Sequence, residues 1–259
     1  MILVLGKFGQ VATELRKLAN DNFFFSSKED MNLLEPEKIQ NFLTNFDPRL
    51  IINCTAYNKV DEAEHDSRED CLINSESIKM IAAFAQKKNC PVIHISTDFV
   101  FDGSLKLYDE SSAKNPLNVY GKTKSDGEEH LLKKVNKLLI LRTSWVYSNI
   151  GVNFFNSVKN NFLDGKELYG ATDILGSPTR ALTIARFIDS QYQNFLDYDY
   201  NKIYNICDSG SVSRHGFVLR IMQELSQHHH VPITKVHPVQ NKFFKLLATR
   251  PMQSILDNS

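Results

Sequence analysis

At 259 residues the chain can form one large domain, or a domain with a smaller lobe, and needs no disulfides to hold its core. Thirty acidic and thirty basic residues cancel to a formal charge of zero, so no overall field draws nucleic acid or an anionic membrane, and the expected partner is a small molecule. Cys54, Cys71, Cys90 and Cys207 are scattered without a C-x-x-C pair, which indicates neither a zinc site nor a disulfide framework and reads as buried thiols of a reducing cytoplasm.

The first expected element is a buried parallel strand, Ile2-Leu3-Val4-Leu5, too short for a membrane span and without a charged leader or cleavage site. It runs into Gly6-Lys7-Phe8-Gly9-Gln10-Val11-Ala12 and a helix over 10–20. Gly6 and Gly9 let the backbone turn tightly and approach a pyrophosphate at the positive end of that helix, with Ala12 at the third small position. Alone, G-x-x-G-x-x-A is equally an ordinary strand-to-helix turn; its place directly after the first strand favours dinucleotide binding.

Further strands are expected near 23–25, at 50–54, 91–96, 138–143 and 203–207, with helices over 35–46, 67–89 and 118–134. This β-α-β-α alternation predicts an α/β fold, a doubly wound parallel sheet. Past the second strand, Ser27-Lys28 is as readily a solvated loop as a holder of a 2′-phosphate. The Gly6 turn, Cys54-Thr55-Ala56, Ser96-Thr97-Asp98 and Thr143-Ser144-Trp145 each follow a strand, so they gather along the carboxyl edge, where such sheets bind ligands.

Tyr120 and Lys124 stand four apart, on one face of the helix over 118–134. A phenol with a pKa of about 10 is a poor acid at neutral pH, but a cation within about 4–6 Å lowers it by roughly 1–3 units. With Thr97 adding a hydroxyl for a carbonyl oxygen, the set fits proton donation during carbonyl reduction. The missing part is a hydride source, which the glycine turn would bind.

After residue 147 the regularity weakens: helices are expected over 153–163 and 181–195, with a turn at Gly176-Ser177-Pro178-Thr179. The expected division is a dinucleotide-binding domain over 1–147 and a mainly substrate-binding lobe over 148–259, some of which returns to the first sheet. His228-His229-His230 point in different directions on a helix and lack a carboxylate cluster, so they read as a solvated helix end, and no metal site is assigned.

The glycine turn, Ser-Thr-Asp-Phe-Val-Phe-Asp-Gly at 96–103 and Pro-Leu-Asn-Val-Tyr-Gly-Lys-Thr-Lys at 116–124 resemble extended short-chain dehydrogenases, and within them the dTDP-4-dehydrorhamnose reductase family. Asn53, Val60-Asp61-Glu62-Ala63-Glu64, Arg142 to Tyr147, Gly176-x-Pro178-Thr179 and Arg250-Pro251 extend the likeness over nearly the whole chain. The resemblance implies hydride transfer from NADPH or NADH to the C4 ketone of a nucleotide-linked 6-deoxysugar, in surface polysaccharide synthesis. It implies Tyr120 as proton donor, Lys124 as the group that lowers its pKa and binds the nicotinamide ribose, and Thr97 as holder of the ketone oxygen. It places Gly6, Gly9 and Gln10 along the phosphates, Asp30 and Met31 beside the adenine, and Thr55 and Ala56 in a cofactor loop. Asp98 and Trp145 would line the sugar pocket, Trp145 being equally a packing residue, and Arg250 would meet the nucleotide. A homodimer is compatible with the likeness.

Three departures from the family pattern stand out. Asp173-Ile174-Leu175 replaces an Asp-Gln before the Gly-x-Pro-Thr turn, Gln253 replaces an asparagine near the end, and a closing segment is expected beyond Ser259. Phe99 stands where dehydratases of the superfamily carry a catalytic glutamate, which argues against a dehydratase. An epimerase with tightly held NAD, or a non-catalytic regulatory subunit on the same fold, remain alternatives.

Overall fold

The computed structural model describes residues 1–197, 201–228 and 235–259. In chain order, β1 (Ile2–Leu5) leads through α1 (Gln10–Leu18) to β2 (Phe23–Ser26), then α2 (Pro36–Phe46) to β3 (Leu50–Asn53). Helices α3 (Val60–His65), α4 (Arg68–Cys71) and α5 (Ser77–Lys88) lead to β4 (Val92–Thr97), and α6 (Val119–Lys134) to β5 (Leu138–Thr143). The remainder is β6 (Val146–Tyr147), α7 (Phe154–Leu163), β7 (Leu168–Ala171), β8 (Leu175–Gly176), β9 (Thr179–Arg180), α8 (Ala181–Asp197), β10 (Asn201–Asn205), β11 (Val212–Ser213), α9 (Arg214–His228) and β12 (Val236–Val239).

Six strands form one sheet in the order β10-β5-β4-β3-β1-β2, every neighbouring pair parallel. The two-residue side-chain period explains why both faces of the central strands are mainly apolar. Leu3 and Leu5 turn to the face covered by Ile39 and Leu43 of α2, Ile81 and Phe84 of α5 and Leu131 of α6. Ile2 and Val4 turn to the opposite face, against Val11 and Leu15 of α1 and Ala185 and Ile188 of α8. The strand order reverses at β1, with β2 on one side and β3 on the other, so a crevice opens there at the carboxyl ends.

Two expected elements differ in their details. The single helix over 67–89 is α4 and α5 separated by a π-helical segment, Leu72–Glu76. Asn74 in that segment bonds Asp70 Oδ1 (2.7 Å) and the backbone N–H (2.9 Å) and carbonyl (3.1 Å) of Tyr57. The wider turn thus serves a buried side-chain network that periodicity does not register. The last strand of the sheet lies at Asn201–Asn205 rather than 203–207, because its pairing ends at Asn205↔Arg142. Cys71 is exposed and Cys54 partly so, so only Cys90 and Cys207 are the buried thiols expected.

Beyond β5, the described residues make three two-stranded ladders, β6 with β9, β8 with β11 and β7 with β12. A separate core of Val158, Phe162, Leu168, Phe217, Val218 and Ile221 joins α7 and α9. In contrast, α8 packs on the first sheet's core and β10 is its edge. The triple histidine closes α9 at His228 and otherwise lies outside the described residues. Among the described residues no helix is long and apolar enough to cross a membrane.

Candidate active site

At the β1/β3 switch the chain makes a cavity of about 370 Å³, lined among others by Gly6, Gly9, Ser27, Lys28, Met31 and Thr55. Gly6 has φ +91°, and a Cβ there would stand 3.0 Å from Thr55 Cγ2 and 3.3 Å from the Cys54 carbonyl. Helix α1 starts at Gly9 without a side-chain cap and without an acidic residue in its first turn. Its leading N–H groups are thus left for an anion. Ala12 is fully buried under the sheet. A glycine turn with free N–H groups at the mouth of this cavity has the chemistry to hold a pyrophosphate.

Of the other residues expected here, Ala56 lines the same cavity. Asp30 and Gln10 are engaged in the scaffold: Asp30 Oδ2 accepts from Ser27 N (2.8 Å) and Oγ (2.9 Å), which shapes the turn after β2. Gln10 Oε1 accepts from Ser148 Oγ and Asn153 Nδ2, both at 2.8 Å, and ties α1 to the segment after β6.

Two strands away, the end of β4 meets the start of α6. Asn118 caps α6 by accepting from Gly121 N (2.8 Å), and its own amide donates to Thr249 O (2.8 Å). Gly121 is required there, since a Cβ would lie 2.2 Å from the Phe99 carbonyl oxygen. This close approach sets Tyr120 beside Thr97, whose hydroxyl donates to Asp98 Oδ1 (3.1 Å) and accepts from Phe99 N (3.2 Å). The helix is fixed from behind by a buried pair: Arg142 donates to both Glu128 oxygens (3.0 and 2.8 Å), and Ser96 Oγ donates to Glu128 Oε1 (2.6 Å).

Lys124, 2% exposed, donates to the Ile95 carbonyl (2.7 Å), and its Nζ lies 3.3 Å from His94 Nε2. Burial pulls its ammonium down to about 8, against the opposing pull of Glu128 and Asp70. The expected lowering of Tyr120 by Lys124 does not hold in the free protein. Burial pushes the phenol above its ordinary range, Thr97 opposes this, and the nearby Asp98 and Asp70 add to it. Tyr120 is therefore fully protonated at neutral pH.

Asp98 and Trp145 meet on the far side of this pair, together with Arg214, which the sequence did not single out. The Arg214 guanidinium stacks 3.5 Å from the Trp145 ring and faces Asp98. Trp145 has φ +47°, an unusual conformation for a bulky residue, and Gly176 makes room for its ring. A Cβ on Gly176 would sit 2.5 Å from Trp145 Cε2. Asp98, 2% exposed, is pushed up to about 6 by burial, against Ser254, Thr97 and Arg214, and among the described residues its Oδ2 has no hydrogen-bond partner within 3.5 Å. Such an orphaned oxygen beside Tyr120 suits a substrate hydroxyl. Arg250 pairs with Asp61 (2.5 Å) and lies over Phe99, whose ring meets Tyr120 edge-on at 5.7 Å. His94 and Asn74 also escaped sequence reading, since an isolated polar residue in a strand or helix carries no periodic signal.

A doubly wound sheet with a glycine cradle at its switch point and a Thr-Tyr-Lys cluster at the end of β4 defines the class: the extended short-chain dehydrogenase/reductase fold. The pattern of one family, described as the RmlD substrate binding domain, matches residues 1–259, and the chain belongs to that family. The dTDP-4-dehydrorhamnose reductase of Escherichia coli K12 is 32% identical over 266 residues, covering 99% of this chain and 89% of the relative. That of Aggregatibacter actinomycetemcomitans is 30% identical over 264 residues, covering 99% and 90%. The crystal structure of dTDP-4-dehydrorhamnose reductase from Bacillus anthracis in complex with NADP superposes with a TM-score of 0.91 at 27% identity, covering 100% of this chain and 90% of that one.

Proposed function

We propose that this chain is an NADPH-dependent reductase of the C4 ketone of a nucleotide-linked 6-deoxysugar, of the dTDP-4-dehydrorhamnose reductase kind, serving surface polysaccharide synthesis. The reading is supported by Tyr120 and Lys124 one turn apart on α6, Thr97 at the end of β4, a glycine-lined cavity at the switch point, and 32% identity to such a reductase. The NADP bound by the Bacillus anthracis relative, together with Lys28 at the cavity rim, favours NADPH over NADH. Residues 1–147 are assigned mainly to the cofactor and 148–259 mainly to the substrate. The free cysteines suit the cytoplasm.

When bound, NADPH supplies the hydride that reduces the ketone carbon. Tyr120, held protonated by burial, gives its proton to the developing alkoxide, while the Thr97 hydroxyl holds the same oxygen. Lys124, in its protonated form, steadies the tyrosinate that remains. Asp98 accepts from a sugar hydroxyl, with the Trp145 and Arg214 stack as the opposite wall.

The test is NADPH oxidation followed at 340 nm with dTDP-4-dehydrorhamnose generated in situ, and product analysis. Stoichiometric oxidation with appearance of the 4-hydroxy sugar is expected. Cofactor binding without oxidation on this sugar or on related 4-keto-6-deoxysugar nucleotides would contradict the reading and favour a regulatory subunit. Sugar turnover without net oxidation would indicate an epimerase.

A further inference from the structure

Behind Lys124 runs a buried chain of polar groups whose hydrogen atoms can be counted. Thr55 N–H donates to Asn53 Oδ1 (3.0 Å), and Thr55 Oγ1 approaches the same oxygen at 2.6 Å. A backbone N–H can only donate, so it fixes the Asn53 amide with its oxygen toward Thr55 and its nitrogen toward His94. Asn53 Nδ2 lies 3.0 Å from His94 Nδ1 and donates to it. His94 Nδ1 is thereby an acceptor, and the ring hydrogen of the neutral imidazole sits on Nε2. Nε2 in turn faces Lys124 Nζ at 3.3 Å.

A lysine ammonium has three hydrogens and no lone pair, so it would oppose the Nε2–H donor to donor; a free amine accepts from it and still donates to Ile95 O. Asn53 and His94 are each 1% exposed, so water does not relieve a mismatch. The other ionisable groups around Lys124 are Cys54 at the end of β3, Asp70 in α4, and Tyr120 and Glu128 on α6. Asp70 and Glu128 favour the ammonium, and burial together with the His94 N–H opposes it.

We propose that Asn53 and His94 are positioning residues that hold Lys124 as a free amine in the cofactor-free protein. Their hydrogen-bond polarity is set by the Thr55 backbone in the cofactor loop. On the proposed reading of Lys124 as the cation that steadies tyrosinate, the lysine takes up its proton only as the site is loaded. Burial of Lys124 drives its ammonium in the same direction.

The experiment uses the full-length protein without cofactor. Nitrogen-15 shifts of labelled histidine report the His94 tautomer, and carbon-13 shifts of labelled lysine report the Lys124 titration. The expected result is the Nε2–H tautomer together with a Lys124 midpoint below neutral pH, so that the amine is the main form. In His94→Gln the amide can turn its oxygen to Lys124, and the midpoint should rise by about one unit or more, a tenfold change in the ratio of the two forms. An Nδ1–H tautomer, or the Nε2–H tautomer with Lys124 still mainly an ammonium at neutral pH, would overturn the proposal. The wild-type measurement stands even if the variant does not fold. Neither readout involves turnover, so failure here leaves the reductase assignment untouched, and failure of that assignment leaves these measurements interpretable.

Discussion

The two sides of the site are held in different ways. On the cofactor side, β1, β3 and the start of α1 form a cradle from backbone: glycines, strand ends and uncapped N–H groups, supported by apolar strands with long-range register. On the substrate side, the ladders beside Trp145 and Gly176 are two residues long, and the wall is held by individual side-chain contacts. These are Trp145 in a left-handed conformation over Gly176, Arg214 stacked on Trp145, and Arg250 paired with Asp61. A backbone cradle leaves a strong trace in sequence, as a glycine pattern after an apolar run. A wall of side chains leaves almost none.

Variants at the junction should produce the largest effects. Lys124→Met removes the cation of the proposed mechanism, and kcat/KM should fall by about a thousandfold in steady-state assays. A change under about threefold would reduce Lys124 to a packing residue. Next come two glycines with very close neighbours. Gly121→Ala puts a methyl against the Phe99 carbonyl and Gly176→Ala puts one against the Trp145 ring, each costing about 1–3 kcal/mol by overpacking. Thermal unfolding should show both losses. Gly176→Ala should in addition raise KM for the sugar nucleotide while leaving cofactor affinity unchanged, which separates the two sides. Equal damage to both affinities would erase the distinction.

Much of the first side was legible. Alternate residues of each strand must face opposite helical layers, so β1 and the first three or four residues of β3 and β5 had to read as apolar runs. Tyr120 and Lys124 were legible because helical spacing puts them on one face. His94 was not, because a single histidine within Val-Ile-His-Ile-Ser-Thr offers no pattern, and its role depends on Asn53 from the neighbouring strand. Arg214 was invisible for the same reason, as it meets Trp145 and Asp98 only through the fold of the ladders. The π-helical break at Asn74 escaped because a continuous helix has the same hydrophobic period.

A pH measurement sharpens the comparison further. Asp98 keeps its proton in the folded protein up to about pH 6, whereas the unfolded chain releases it near 3.8. The native state thus binds more protons between these values, so this group makes stability fall as pH rises from about 4 to about 6, by at most about 3 kcal/mol. Asp98→Asn should lose that dependence, and its stability relative to the parent in urea titrations should improve between pH 4 and pH 7. A pH-independent difference would mean that Asp98 is already ionised in the folded state. The smallest effect is expected at the exposed rim of the cradle, where Lys28→Ala should weaken NADPH about three- to tenfold more than NADH by calorimetry. An equal loss for both cofactors would remove Lys28 from any contact with a 2′-phosphate.

The most direct test of the central claim is Tyr120→Phe, measured for turnover of the 4-keto sugar nucleotide and for NADPH affinity in the same preparation. If Tyr120 is the proton donor of a reductase, turnover falls by about a hundred- to ten-thousandfold while NADPH affinity stays within a few-fold of the parent. Turnover equal to the parent, with the phenol gone and the fold intact, would contradict the account.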